Sequence, residues 1–246
     1  MQAWLHSKLE SARRKIGIAG PLDWSDAQRF ELHHAIQYMQ TPGFAATVDT
    51  LNSLEKNAST GYVDPLMLKE FFASDHSIWL QFVDHIRGKT TLEIGPCIAT
   101  QLSLWDIANR RIVIEPLYNQ VVEYQAAHFG KTAFRQVEAF TMGAEKLIDE
   151  LVGKVDGALL IRNCLDHSPA WPFILSNIAD YMAPGSVLLL WNDLLHPKQY
   201  LNGHYDITDN VASFRRLIEN LGFEILDEYE NPTGECLNFG CRALRK

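Results

Sequence analysis

The chain has 246 residues, 47% of them apolar and 21% charged, and a formal net charge of −8. That length holds one large α/β domain, or a domain of roughly 150 residues with an elaboration. The acidic balance lacks the basic footprint of nucleic-acid binding, and no apolar run approaches the roughly 20 residues that span a bilayer, so neither partner is expected.

The opening segment, MQAWLHSKLESARRK, places its basic cluster after its apolar residues, the reverse of a secretory signal. Cys97, Cys164, Cys236 and Cys241 form no C-x-x-C pair and no zinc-like spacing. Reduced thiols and a cytoplasmic location are the expectation. Residues 1–88 read as helices and loops, a helical cap ahead of a second unit at 89–246. Ser25-Asp26-Ala27-Gln28 has the pattern of a capping box, and Thr41-Pro42-Gly43 ends the helix that follows. Phe44 to Leu54 and Leu66 to Phe72 are shorter helical pieces, the second opened by Asp64-Pro65. Ser74-Asp75 caps a helix with a wide apolar stripe of Ile78, Trp79, Phe82, Val83 and Ile86, stopped by Gly88.

Thr90 to Pro116 reads as strand, turn, helix and strand. Thr91 to Ile94 is a short apolar run ending at Gly95-Pro96, and Ala99 to Ala108 is predicted to be the crossover helix. Ile112 to Ile114 is a β-branched run with the character of a buried parallel strand. It ends on Glu115, 22 residues after Glu93. An acidic residue at the tip of the second strand of a βαβ unit suits the two hydroxyls of a ribose. A dinucleotide turn wants G-x-G-x-x-G, but here Cys97 stands where the second glycine would fall, which disfavours an NAD-dependent oxidoreductase. No lysine of a triphosphate loop is present. A ligand with ribose and adenine but no phosphate fits such a turn, and S-adenosylmethionine (SAM) is one.

Further on, a helix is expected around Val121 to His128 and a third strand over Phe134 to Phe140. Val155 to Ile161 is the strongest buried strand, then a helix runs from about Ala170 to Met182 and another apolar strand from Ser186 to Trp191. A polar loop, Asp193 to Asn210, leads to a helix at Val211 to Leu221 stopped by Gly222. Phe223 to Tyr229 and Cys236 to Leu244 alternate, with Asn231-Pro232-Thr233-Gly234 between them, the pattern of an antiparallel hairpin. The fold class expected is α/β: a Rossmann-like doubly wound sheet with a terminal antiparallel hairpin and an N-terminal helical cap.

Leu92-Glu93-Ile94-Gly95-Pro96 followed by Ile114-Glu115-Pro116-Leu117 resembles the first two motifs of class I SAM-dependent methyltransferases. The resemblance continues through Met142-Gly143-Ala144-Glu145, Asn163-Cys164-Leu165-Asp166-His167, Ala183-Pro184-Gly185-Ser186 and Leu221-Gly222-Phe223, in order, from Thr90 to Phe223. Cys97, Ala99 and Ser186 depart from the glycines usual there. The resemblance implies that Glu93, Gly95, Pro96 and Cys97 shape the turn at the amino-acid end of SAM. Glu115, with Pro116 and Leu117 beside it, would meet the ribose. Ala144 and Glu145 would border the adenine, and Asn163 and Cys164 would lie under the methionine portion. For a hydroxyl acceptor a general base helps, and the histidines after strand ends are His167 and His204, with His196 in the same loop. Nothing in the spacing supplies a convergent trio for a metal. A small-molecule or sugar-like acceptor is expected, and a homodimer is compatible with the sequence. The alternative is a methyltransferase-like protein that binds without catalysing.

Overall fold

The computed structural model describes residues 24–196, 204–229 and 236–246, except for the side chains of 24–27 and 30. The opening basic cluster, the side chain of Ser25 in the capping box and the 231–234 turn therefore lie outside the described residues. Helices come first: α1 (Trp24–Met39), α2 (Pro42–Asn52), α3 (Pro65–Phe72) and α4 (His76–Ile86). The Asp64 side chain accepts from the amides of Leu66 and Met67 at the start of α3, and Asp75 accepts from Ser77 at the start of α4. Each bond satisfies amides that a helix start leaves without a partner.

The sheet follows, with β1 (Thr90–Ile94), β2 (Arg110–Ile114), α5 (Tyr118–Phe129), β3 (Glu138–Phe140) and β4 (Ala158–Arg162). Then come α6 (Trp171–Tyr181), β5 (Val187–Leu195), α7 (Val211–Asn220), β6 (Phe223–Tyr229) and β7 (Leu237–Arg245). The seven strands lie in the order β3-β2-β1-β4-β5-β7-β6. The first five are parallel, and β7 enters antiparallel between β5 and β6. This is the expected doubly wound sheet with a terminal antiparallel hairpin. No helix among the described residues is long and apolar enough to cross a membrane.

Strand alternation divides the core. Leu92, Ile94, Ile112, Ile114, Leu159 and Ile161 face one side, packed with α6 and α7 through Ile174, Ile178, Phe214 and Ile218. Val113, Ala158, Leu160, Val187 and Leu189 face the other, where Trp79, Phe82, Val83 and Ile86 of α4 cover them. Both faces of the central strands β2 and β4 are therefore buried, which is why Ile112 to Ile114 and Ala158 to Ile161 read as unbroken apolar runs.

Three elements differ from the sequence expectation. The crossover over Ala99 to Ala108 is only a 3₁₀ turn at Gln101–Leu104. There the Thr100 hydroxyl accepts from the Leu102 amide and the Glu93 carboxylate accepts from the Gln101 amide, drawing the first turn tight. Strand β3 is three residues long, because Gln136 adopts a left-handed φ of 54° and the Arg135 amide is taken by the Ser103 hydroxyl. Strand β5 runs past Trp191 to Leu195, held by β7 through the pairs Asn192–Phe239 and Asp193–Asn238.

Candidate active site

A cavity with about 730 Å³ of empty space, its open mouth included, lies at the C-terminal ends of β1, β2 and β4. This is where open parallel sheets bind ligands, and the size suits a small molecule. Gly95 and Cys97 form its wall after β1, and Glu115, Pro116 and Leu117 its wall after β2. Ala144 and Glu145 close a third side, with Asn163, Cys164 and His167 below. Glu93, Pro96 and His204 do not border it.

Glu115 is buried, and each of its carboxylate oxygens accepts one backbone amide: Oε2 from Cys97 and Oε1 from Leu117, both at 2.8 Å. The two bonds tie the loop after β1 to the loop after β2 at the cavity wall. Burial raises the Glu115 pKa, against the pull of those amides. Gly95 has a φ of 67°, and a Cβ there would stand 2.5 Å from the Cys164 sulfur, so the position needs glycine. Cys97 adopts a left-handed φ of 51° without being glycine, and burial pushes its thiol pKa up. Its amide nevertheless reaches Glu115, as a glycine's would.

Glu93 alternates with Leu92 and Ile94 and so points away from the cavity. Its Oε2 accepts from the Thr100 hydroxyl at 2.5 Å and from the Gln101 amide at 3.0 Å. Burial pushes its pKa from 4.5 up to about 7. The folded state therefore binds this proton more tightly than the unfolded chain does. The associated stability is fully present below about pH 4.5 and is lost as pH rises through 7, a change on the order of 3 kcal/mol. Glu93→Gln keeps an acceptor for both donors and carries no charge. Urea unfolding at pH 5 and pH 8 is expected to show the variant gaining on the wild type at the higher pH. Parallel pH profiles for the two proteins would remove Glu93 as the cause.

Among the cavity residues that the sequence reading did not assign to the site, two stand on the first helix. Gln28 and Glu31 come from α1, and the Glu31 Oε1 lies 3.0 Å from His167 Nδ1. Burial would lower the His167 pKa, but the Glu31 hydrogen bond and the Asp166 carboxylate together raise it. With 136 positions between the partners, no local pattern announces this pair. Glu145 also behaves in a way sequence does not show. Its carboxylate folds back over Gly143, where any Cβ would overlap it, and its buried Oε2 has no hydrogen-bond partner among the described residues.

Behind His167 lies Asp166, fully buried. Its Oδ1 accepts from Asn192 Nδ2 at 2.9 Å, and its Oδ2 lies 2.8 Å from His204 Nδ1 and 3.2 Å from His196 Nε2. Burial would raise the Asp166 pKa, but the histidines hold it well below the usual carboxylate range. Sequence spacing supplied no convergent trio, yet the fold brings one together. One ligand atom from each of Asp166, His196 and His204 lies within 4.8 Å of the other two. His196 follows the end of β5, and its amide donates to Asp206 Oδ1 at 3.0 Å, a contact formed across the intervening loop that spacing alone does not reveal.

No protein-family model matches the sequence, and no curated protein matches it either. Solved structures do match. The chain is similar to the Burkholderia thailandensis 1,6-didemethyltoxoflavin-N1-methyltransferase, solved with 1,6-didemethyltoxoflavin and S-adenosylhomocysteine (SAH). Identity is 14% over 93% of this chain and 92% of that one, with a TM-score of 0.52. It is also similar to a SAM-dependent methyltransferase from Mesorhizobium loti, at 11% identity over 69% of this chain and 98% of that one, with a TM-score of 0.50. At such identities the likeness establishes architecture: the chain has the fold of the class I SAM-dependent methyltransferases.

Proposed function

We propose that the protein is a SAM-dependent methyltransferase of the cytoplasm, acting on a small-molecule acceptor. The observation that carries this reading is Glu115, a buried carboxylate at the tip of β2, fixed by two backbone amides and facing the cavity. A charged acceptor so held is suited to the paired hydroxyls of a ribose. The rest of the cavity fits the same molecule. The unpartnered Glu145 Oε2 offers an acceptor to an exocyclic amine, and Gly95, Asn163 and Cys164 line the part of the cavity assigned to the methionine portion.

SAM supplies an electrophilic methyl group on its sulfonium, so what remains for the protein is to align the acceptor and exclude water. The helices before residue 89 serve in this reading as a cap: α1 brings Gln28 and Glu31 to the cavity wall. His167, steadied by Glu31, is the histidine that meets the acceptor, and His204 packs behind it with ring centroids 4.4 Å apart. The similar structure that holds 1,6-didemethyltoxoflavin supports a small-molecule acceptor.

Calorimetric titration of the full chain with SAM and SAH tests the reading. One-site binding of both is the expected result. A well-folded protein that binds neither would leave the fold standing and end the methyltransferase proposal. Binding without turnover over a broad panel of acceptors would move the protein to the non-catalytic alternative.

A further inference from the structure

We propose that Asp166, His196 and His204 form a binding site for one divalent transition-metal ion of the zinc and iron(II) class, set behind the His167 wall of the cavity. The strongest observation is His196. Its side chain is 3% exposed, yet neither ring nitrogen has a hydrogen-bond partner among the described residues. Leaving buried imidazole nitrogens without a hydrogen bond is costly, and native structures rarely tolerate it. Nε2 of this ring lies 3.2 Å from Asp166 Oδ2. Two ligands that share one tetrahedral ion, each at about 2.1 Å from it, stand about 3.4 Å apart. The pair is therefore spaced as co-ligands.

His204 completes the set. Its Nδ1 lies 2.8 Å from the same Asp166 oxygen, and its ring centroid is 4.7 Å from that of His196. Two imidazoles and one carboxylate suit zinc, iron(II) or cobalt(II), whereas magnesium and calcium prefer all-oxygen sites. The outer groups are also arranged as a metal site requires. Asn192 donates to Asp166 Oδ1 and so turns Oδ2 toward the histidines. Asp206 Oδ1 accepts the His196 amide and stands 3.8 Å from its Nδ1, placing a carboxylate behind the ligand ring. Asp193 Oδ2, 3.9 Å from His196 Nε2, is close enough to serve as a further oxygen ligand after a small side-chain rotation.

His167 connects this cluster to the cavity, with its Nε2 3.8 Å from Asp166 Oδ2. Any effect of the ion on acceptor chemistry rests on the methyltransferase reading. The ion site itself does not.

The experiment uses the full chain without an affinity tag, stripped with a chelator and titrated with cobalt(II). We expect one equivalent to bind with visible d–d absorption of a nitrogen-ligated, four- or five-coordinate ion, displaced by zinc. His204→Ala, at a half-exposed loop position, is expected to weaken binding at least tenfold while the far-ultraviolet dichroism is unchanged. X-ray absorption of the wild-type cobalt form, expected to show two imidazoles around the ion, covers the case of a variant that does not fold. Absence of cobalt binding at sub-millimolar concentration, equal binding by folded His204→Ala, or a first shell without imidazole would each overturn the proposal. SAH calorimetry on the same sample reports separately on the methyltransferase reading, so either idea can fail alone.

Discussion

Replacing Glu115 with alanine is expected to weaken SAM and SAH binding by roughly 1.5–3 kcal/mol, about ten- to a hundredfold, the worth of hydrogen bonds to a charged group. The carboxylate has two tasks in the structure. It faces the cavity, and it holds the amides of Cys97 and Leu117 at 2.8 Å each. Alanine removes both. Glu115→Gln separates them, since its one oxygen can hold one amide while its NH₂ faces the other, and it has lost the charge that favours a ribose. An intermediate loss is expected for the glutamine variant. Calorimetry on the three proteins at one pH and salt concentration decides the matter. Unchanged affinity in the alanine variant would mean that the ribose is held elsewhere.

The largest stability effect is expected at Phe82. This side chain is 4% exposed and sits among three aromatic rings: Phe72 at 5.2 Å, Trp79 at 5.6 Å and Trp105 at 5.3 Å between centroids. Phe72 and Trp79 belong to the helices and Trp105 to the crossover between β1 and β2. Truncating Phe82 to alanine removes buried ring contacts and leaves a cavity between the two, a loss of about 3–5 kcal/mol. For a chain of this size that corresponds to a fall in Tm of about 6–20 °C. Because the same apolar cluster continues into Val113, Leu160 and Leu189 of the sheet, one cooperative transition is expected in both proteins. A variant that melts in two steps, with the sheet unaffected in the second, would show that the helices and the sheet are energetically separate.

The sheet was legible because its strands obey local rules. Ile112 to Ile114 and Ala158 to Ile161 are apolar on both faces, and Phe223 to Tyr229 alternates, as a parallel interior and an antiparallel margin require. The crossover after β1 was not legible. Ala99 to Ala108 has helical spacing, but the Glu93 and Thr100 side chains hold the amides that begin it, a tertiary choice that periodicity does not encode. The residues around the cavity divide in the same way. Glu115 stands at a strand tip that the pattern marks, and the structure sets it on the cavity wall. Glu93 carries an equally suggestive motif but falls on the other face of β1. Glu31 meets His167, and Asp166 meets His196 and His204, only when distant segments come together. The Asp166-His167 dipeptide carries no signal by itself, since Asp75-His76 and Asp84-His85 occur on a helix start and a helix face.

The interior position of β7 bears on how the molecule is made. During synthesis β5 emerges well before β7, and β6, which emerges between them, pairs only with β7. Until Leu237–Arg245 has left the ribosome, β5 presents Leu188, Leu189 and Leu190 along an open edge, and β6 has no neighbour. At about 5–20 residues per second that interval lasts on the order of seconds. An unpaired apolar edge of this kind is a template for association between nascent chains. The sheet closes only when its latest strand is threaded between two earlier ones, so the newborn chain depends on shielding of that edge more than a protein whose last strand lies at the margin.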